Sequence, residues 1–399
     1  MKARGCTIVA LSGGVDSAVA ACLLAEAGRS VEGLYMSNWE DDEDGYCTAA
    51  ADFQDARRVA AELGIPLHRV SFAAEYRARV FSHFLAELAA GRTPNPDVPC
   101  NREVKFGAAL DYAGRLGGSR FATGHYARID QRGRLLRATD PEKDQSYFLH
   151  ALGATQLART EFPIGHLTKS EVRAIARDRG LPVADKRDST GICFIGERPF
   201  GAFVEAWIPG RPGPIETLSG EVIGRHAGLE RYTLGQRSGL GVGGIRGHAA
   251  QPWFVAAKDR TRNALVVVQG STHPALYCSG LDASAPHWVA GAPPARAFEC
   301  TAKVRYRQPD VACRVEIEAD RVRARFAEPL RGAAPGQYVV FYRGEECLGG
   351  AAIMSLQPLE DSCRTASRPA ASLRSAASGT TTSRSSRLRS TAPDVSPTR

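Results

Sequence analysis

The sequence predicts an α/β fold: an N-terminal doubly wound parallel sheet, a small central domain and a C-terminal β-barrel. Three observations carry this expectation. Short apolar runs alternate with helical patterns through roughly the first 200 residues, a Pro/Gly-rich linker follows, and the remainder is strand patterns cut by turns.

Residues 7–11 (T-I-V-A-L) form an apolar run of buried-strand type, followed by a Gly-rich turn and a helix over 17–27, stopped by Gly28. Residues 31–36 give a second strand. Phe53, Ala56, Ala60 and Leu63 recur at helical spacing before Gly64, and 67–72 is a third strand. Tyr76, Val80, Phe84 and Leu88 mark an amphipathic helix closed by Gly91. A further strand spans 118–123, and Thr168-x-x-Glu171 is a capping box opening a helix that closes at Gly180-Leu181-Pro182. Strand and helix in alternation make the strands parallel, with helices on both faces.

The run P-G-R-P-G-P from Pro209 to Pro214 ends a first domain over 1–208 and opens a central one over 209–273. Alternating runs at 298–306, 313–317, 322–326, 338–342 and 348–353 make 274–356 a small β-barrel or sandwich. Residues 357–399 lack Phe, Tyr, Trp and Ile and read as a disordered basic tail. Its seven Arg against three acidic residues contribute +4 of the net +8, so the body is only mildly basic. That is compatible with a nucleic-acid partner without requiring one.

The 399 residues are 43% hydrophobic and 24% charged, and no stretch approaches the ~20 apolar residues of a membrane span. The N-terminus runs straight into a strand pattern with no signal or transit pattern, which predicts a cytoplasmic protein without membrane attachment. Ten Cys are scattered, none in C-x-x-C, which argues against a disulfide scaffold or a structural metal; no metal ligands are predicted. Cys6 and Cys22 fall on apolar faces and read as core residues.

Ser12-Gly13-Gly14-Val15-Asp16-Ser17 sits between the first strand and the first helix, where backbone N–H groups and the helix dipole favour an anion. A tight turn would also use Gly and Ser. The loop matches neither the Walker A pattern nor the Rossmann fingerprint. As S-G-G-x-D-S it resembles the PP-loop of ATP pyrophosphatases, which adenylate a substrate oxygen and release pyrophosphate. The resemblance implies that Ala10, Leu11, Ser12, Gly13, Gly14, Val15, Asp16 and Ser17 line an ATP site. It also implies that Asp16 helps hold Mg2+ bound chiefly through the phosphates, and that Met36 and Gly124, at strand ends, pack on the adenosine.

Two thiols lie in loops. Cys100 ends the Pro-pinned run T-P-N-P-D-V-P-C, just before a helix expected to start near Asn101, a position that favours thiolate, with Lys105 one turn on. Cys193 lies in D-S-T-G-I-C-F-I-G, between glycines that let it swing. With the PP-loop, A-T-G-H-Y-A, K-D-Q-S-Y-F-L, Y-T-x-G-Q-R-x-G-L-G and R-Y-R-Q, these motifs resemble the tRNA-specific 2-thiouridylase family over about residues 6–356. Ala18 is a departure, standing where family members often carry a second Ser.

The resemblance implies that Cys193 carries a persulfide delivered by a sulfur-carrier protein, that Cys100 either takes the sulfur off by forming a disulfide with Cys193 or assists release of sulfide, and that Asp97 is a candidate general acid/base. Asn95, Pro96 and Asp97 would meet the target base. His125, Lys143, Asp144 and Gln145 would touch tRNA from the first domain, and Arg305, Tyr306 and Gln337 from the barrel. The reaction implied is adenylation of a wobble-uridine C2 oxygen by ATP, then sulfur transfer. Another PP-loop adenylating enzyme would not need the paired thiols. A non-catalytic RNA-binding protein would not need Asp16, Cys100 and Cys193.

Overall fold

The computed structural model describes residues 5–39, 49–187, 200–245 and 247–359. The first domain runs β1 (Cys6–Ala10), α1 (Val15–Glu26), β2 (Val31–Ser37), α2 (Ala49–Glu62), β3 (Leu67–Ser71) and β4 (Gly118–Thr123), then a short hairpin, β5 (Arg128–Ile129) with β6 (Leu135–Leu136), and β7 (Thr160–Glu161). The sheet order is β3-β2-β1-β4-β7, parallel throughout, so the predicted fold class holds. Alternate residues serve opposite layers. Ile8, Ala10, Leu34 and Phe121 pack with Phe84, Val104 and Phe106. Val9, Leu11, Tyr35 and Ala122 pack with Val19, Val59 and Val172.

The helix predicted around Tyr76 to Leu88 is continuous from Ala73–Tyr76 through Arg77–Phe81 to Ser82–Ala89, its middle segment π-helical. A second composite helix runs Asp97–Pro99, Cys100–Ala109, Leu110–Arg115, again π-helical in the middle. The capping box forms: Glu171 N–H donates to Thr168 Oγ1 (3.3 Å) and Thr168 N–H to Glu171 (2.7 Å), opening the Lys169–Asp178 helix.

The central domain is a four-stranded sheet of β8 (Gly213–Thr217), β9 (Val222–His226), β10 (Trp253–Asp259) and β11 (Ala264–Gln269), in the order β10-β11-β8-β9. The last domain comprises β12 (Tyr277–Ala283), β13 (His287–Trp288), β14 (Ala297–Lys303), β15 (Val311–Glu318), β16 (Arg321–Arg331), β17 (Tyr338–Arg343) and β18 (Glu346–Pro358). Pairing runs β12-β16-β15-β14-β17-β18 and returns from β18 to β12, which makes a closed barrel rather than a sandwich. The last strand extends beyond the expected boundary at residue 356, because Gln357 and Pro358 still pair with Gly280 and Cys278.

The first domain and the barrel share a ladder: Glu346 of β18 pairs with Leu136 of β6. Arg134–Glu346 (3.2 Å) and Arg128–Glu345 (2.7 Å) flank it, and the Arg137 guanidinium lies 3.7 Å from the centre of the Tyr342 ring.

Candidate active site

The Gly-rich loop leaves β1 beside β4, where the strand order reverses and open α/β sheets form their ligand crevice. Gly13 has φ +78°, and a Cβ there would lie 2.2 Å from the Asp52 carbonyl oxygen, so no other residue fits. Ser17 Oγ accepts from Ser12 N–H (3.1 Å) and donates to the Gly14 carbonyl (3.0 Å), stapling the loop onto α1. The first-turn N–H groups of α1, over Val15 to Ser17, have no intrahelical acceptor, since the first such bond runs from Ala18 N–H to the Gly14 carbonyl (3.2 Å). Gly124 lets β4 close on this turn, since a Cβ would sit 2.6 Å from Ser17 N. Met36 is half-buried on β2. Ala18 is fully buried, leaving Ser12 and Ser17 as the loop's hydroxyl donors.

Asp16 is the loop's carboxylate. It accepts from Lys169 Nζ at 2.7 and 2.9 Å and from the Tyr126 hydroxyl at 2.8 Å. Lys186 Nζ donates to the Gly13 carbonyl (3.1 Å) and to Asp52 (2.6 Å).

The second helix starts at Asp97, not at Asn101. Asn95 Oδ1 accepts from Asp97 N–H (3.0 Å), a side-chain turn that begins the helix early. Cys100 therefore sits at the end of the first turn, its N–H on the Pro96 carbonyl (3.0 Å). Its thiol joins the first-domain core at 4% exposure, so the expectation of a loop thiol ahead of the helix is corrected. Burial pushes the Asp97 carboxyl above its ordinary range, against the pull of the Lys105 ammonium. Burial, with Lys105 beside it, holds His125 well below the ordinary imidazole value, and hence neutral. The His125 ring lies 5.6 Å from Phe106 and 6.1 Å from Phe162, with Nδ1 2.8 Å from Thr123 Oγ1.

Cys193 lies outside the described residues, within 188–199. Lys186 precedes it on the Gly-rich loop, and Phe200 follows it, its ring 6.5 Å from that of Phe84.

Of the residues expected to meet RNA, Lys143 is half-buried on a turn capped by Asp140. Asp144 is turned inward at 4% exposure and accepts from Ala138 N–H (3.1 Å), Ser146 N–H (3.1 Å) and Ser146 Oγ (2.9 Å). These bonds shape the turn. Gln145 Oε1 accepts from Tyr126 N–H (3.0 Å). The Tyr306 ring lies 4.6 Å from that of Phe148, tilted by 42°, and burial raises its phenol to about 12. Arg305 donates to the Gly332 (2.6 Å) and Leu234 (3.0 Å) carbonyls, and Gln337 to that of Thr93 (2.7 Å).

Three family models match the chain in succession: a tRNA methyl transferase HUP domain over residues 6–197, a tRNA methyl transferase PRC-barrel domain over 201–269 and an aminomethyltransferase beta-barrel domain over 278–353. The chain is 55% identical over 353 residues to the tRNA-specific 2-thiouridylase MnmA of Hahella chejuensis, covering 88% of this chain and 97% of that one. It is 57% identical to the MnmA of Chromohalobacter salexigens, covering 87% and 92% respectively. The chain belongs to the MnmA family. A solved structure, the U34-tRNA thiolase NcsA from Methanococcus maripaludis, aligns over 51% of this chain and 64% of that one at 18% identity and a TM-score of 0.33, too slight a likeness to bear on function.

Beside the Gly-rich loop of this MnmA-family chain stand two lysines the sequence reading passed over, Lys169 and Lys186. The one signal for Lys169 was the capping box, which places it at the first helical position, with its N–H on Asp140 (2.9 Å) and its ammonium on Asp16. Nothing in the sequence pattern pairs Lys186 with Gly13.

Proposed function

We propose that the chain is an ATP-dependent tRNA 2-thiouridylase that replaces the C2 oxygen of a wobble uridine by sulfur. What supports this reading is that two unlike devices belong to one parallel-sheet domain. An anion-binding loop leaves β1 at the switch point of the sheet, and a half-buried acid and a buried thiol, Asp97 and Cys100, share one helical turn, the thiol in the core that also holds Ala10 and Leu34 of the sheet.

The C2 oxygen is a poor leaving group, so it attacks the α-phosphate of ATP, pyrophosphate departs, and the oxygen becomes part of AMP. First-turn N–H groups of α1, with Ser12 and Ser17, hold the phosphates, and Met36 and Gly124 line the adenosine. The side-chain-free surface of Gly13 and Gly14 fits that role, and Asp16, the loop's carboxylate, would help hold a Mg2+ ion that accompanies the phosphates. Such an ion would supply neutralisation of the charge on the leaving pyrophosphate.

Cys193, loaded as a persulfide by a sulfur-carrier protein, attacks C2 through its outer sulfur, and AMP leaves. Cys100 then attacks the Cys193 sulfur. A Cys100–Cys193 disulfide forms, the S–S bond to the substrate breaks, and the thiouridine sulfur departs with the electron pair; a thiol reductant regenerates both cysteines. Asp97, with its raised carboxyl, exchanges protons at the base, and Asn95 and Pro96 shape the base pocket. The base must be unstacked to be reached, so the substrate is an anticodon loop, in the cytoplasm.

The test is pyrophosphate release by the purified protein, which should require both ATP and tRNA. Mass spectrometry of digested tRNA should then find 2-thiouridine once a persulfide donor is added. Release that ignores tRNA would overturn the reading.

A further inference from the structure

All three domains converge on the few residues ahead of Asp97. Thr93 N–H donates to the Pro335 carbonyl of the barrel (2.8 Å), and Thr93 Oγ1 to Thr233 Oγ1 of the central domain (3.4 Å). Gln337 Nε2 donates to the Thr93 carbonyl (2.7 Å) and reaches that of Pro94 (3.4 Å). Gly336, at φ +91°, lies so close that a Cβ would sit 2.9 Å from Thr93 N and 3.0 Å from Arg92 Cβ. Lys258 of β10 donates to the Gly91 carbonyl (3.2 Å).

The barrel presents this contact rigidly. Gly336 N–H donates to the Ile353 carbonyl (2.9 Å), Ile353 N–H to the Gln337 carbonyl (2.8 Å) and Gln337 N–H to the Ala334 carbonyl (3.1 Å). Downstream, Pro94, Pro96 and Pro99 fix backbone angles between Thr93 and Cys100, so a shift at Thr93 passes along the chain instead of being absorbed. Asn95 and Asp97 lie on that stiff run, joined by their own hydrogen bond (3.0 Å).

We propose that Gln337 is a positioning residue: from the barrel it holds Thr93-Pro94, and through them sets where Asn95, Asp97 and Cys100 stand. The barrel then completes the catalytic loop as well as offering surface to RNA. This rests on the thiolation reading above, so the test includes a measurement independent of turnover.

Gln337→Met keeps length and removes both donors, while Gly336→Ala pushes the same strap from a residue without a reaching side chain. In the full-length protein Gly336→Ala, which leaves the Gln337 side chain in place, should bind tRNA within about twofold of wild type. At saturating tRNA, the single-turnover thiolation of both variants should be about tenfold slower or more. Iodoacetamide labelling of Cys100, mapped by mass spectrometry without substrates, should be faster in both, because the loop that buries the thiol is loosened. If Gly336→Ala fails to fold, Gln337→Met decides alone. About tenfold weaker tRNA binding with a wild-type single-turnover rate would make Gln337 an RNA contact and overturn the proposal. A lower melting temperature with rate and labelling unchanged would overturn it too, leaving a bond that only stabilises. Wild-type protein that forms no 2-thiouridine would sink the functional reading, while the labelling result would still judge the strap.

Discussion

His150 sits where the first domain meets the barrel, 1% exposed, its Nδ1 2.7 Å from the Tyr147 carbonyl oxygen and its ring 5.1 Å from that of Tyr338 on β17. Burial, outweighing the Tyr147 carbonyl and joined by His287 and Arg102, brings its imidazole from 6.5 down to about 4. The folded value lies below the unfolded one, so the unfolded chain takes up the proton first as pH falls. Stability is full above pH ~6.5 and drains toward pH ~4, a loss on the order of 3 kcal/mol. At roughly 2–4 °C per kcal/mol for domains of this size, that is about 10 °C in melting temperature. The assay is thermal unfolding of wild type and His150→Gln from pH 7.5 to about 4.5; taking the difference between them cancels other groups, such as His226, that also titrate low. The variant's deficit at neutral pH should shrink by most of that amount on acidification. Two parallel curves would refute the assignment.

Asp16→Ala strips Lys169 and Tyr126 of their shared acceptor beside the phosphate loop and should cut tRNA-dependent pyrophosphate release about a hundredfold, measured with a coupled pyrophosphate assay. Wild-type release would refute that role. Cys193→Ser should release pyrophosphate yet transfer no sulfur, whereas Cys100→Ser should accumulate a protein–tRNA adduct that a small thiol frees. Radiolabelled sulfur reaching uridine in Cys193→Ser would reverse the two roles. Asp97→Asn should raise the melting temperature at neutral pH, because the raised carboxyl opposes folding once ionised. That gain should vanish as pH falls below the ordinary carboxylate range, and a gain that persists there would refute the burial argument.

Much of the fold was legible because it rests on local signals. Apolar runs gave the buried strands of the parallel sheet, alternation gave the barrel strands, and the Thr168–Glu171 capping box formed as read. The Gly-rich loop was legible for the same reason: strand, turn and helix are consecutive. The misses are non-local or set by side-chain geometry. The helix at Asp97 starts early because one Asn side chain turns the chain, which a reading of apolar periodicity cannot see. The Lys169–Asp16 pair joins residues 153 apart, and Gln337 meets Thr93 across 244. Asp144 reads as a surface acid in K-D-Q, yet two backbone N–H groups draw it inward.

The ladder between β6 and β18 sets an order of assembly on the ribosome. Arg134 emerges early, but its partner Glu346 lies 212 residues later, in the final strand. The parallel sheet can collapse as soon as β7 is made, while the β5–β6 hairpin keeps an unpaired edge until the barrel closes. For most of synthesis the nascent chain therefore carries an open strand edge that another copy could pair with. Messages truncated between the central domain and β18 would yield chains whose first domain is formed but unsealed.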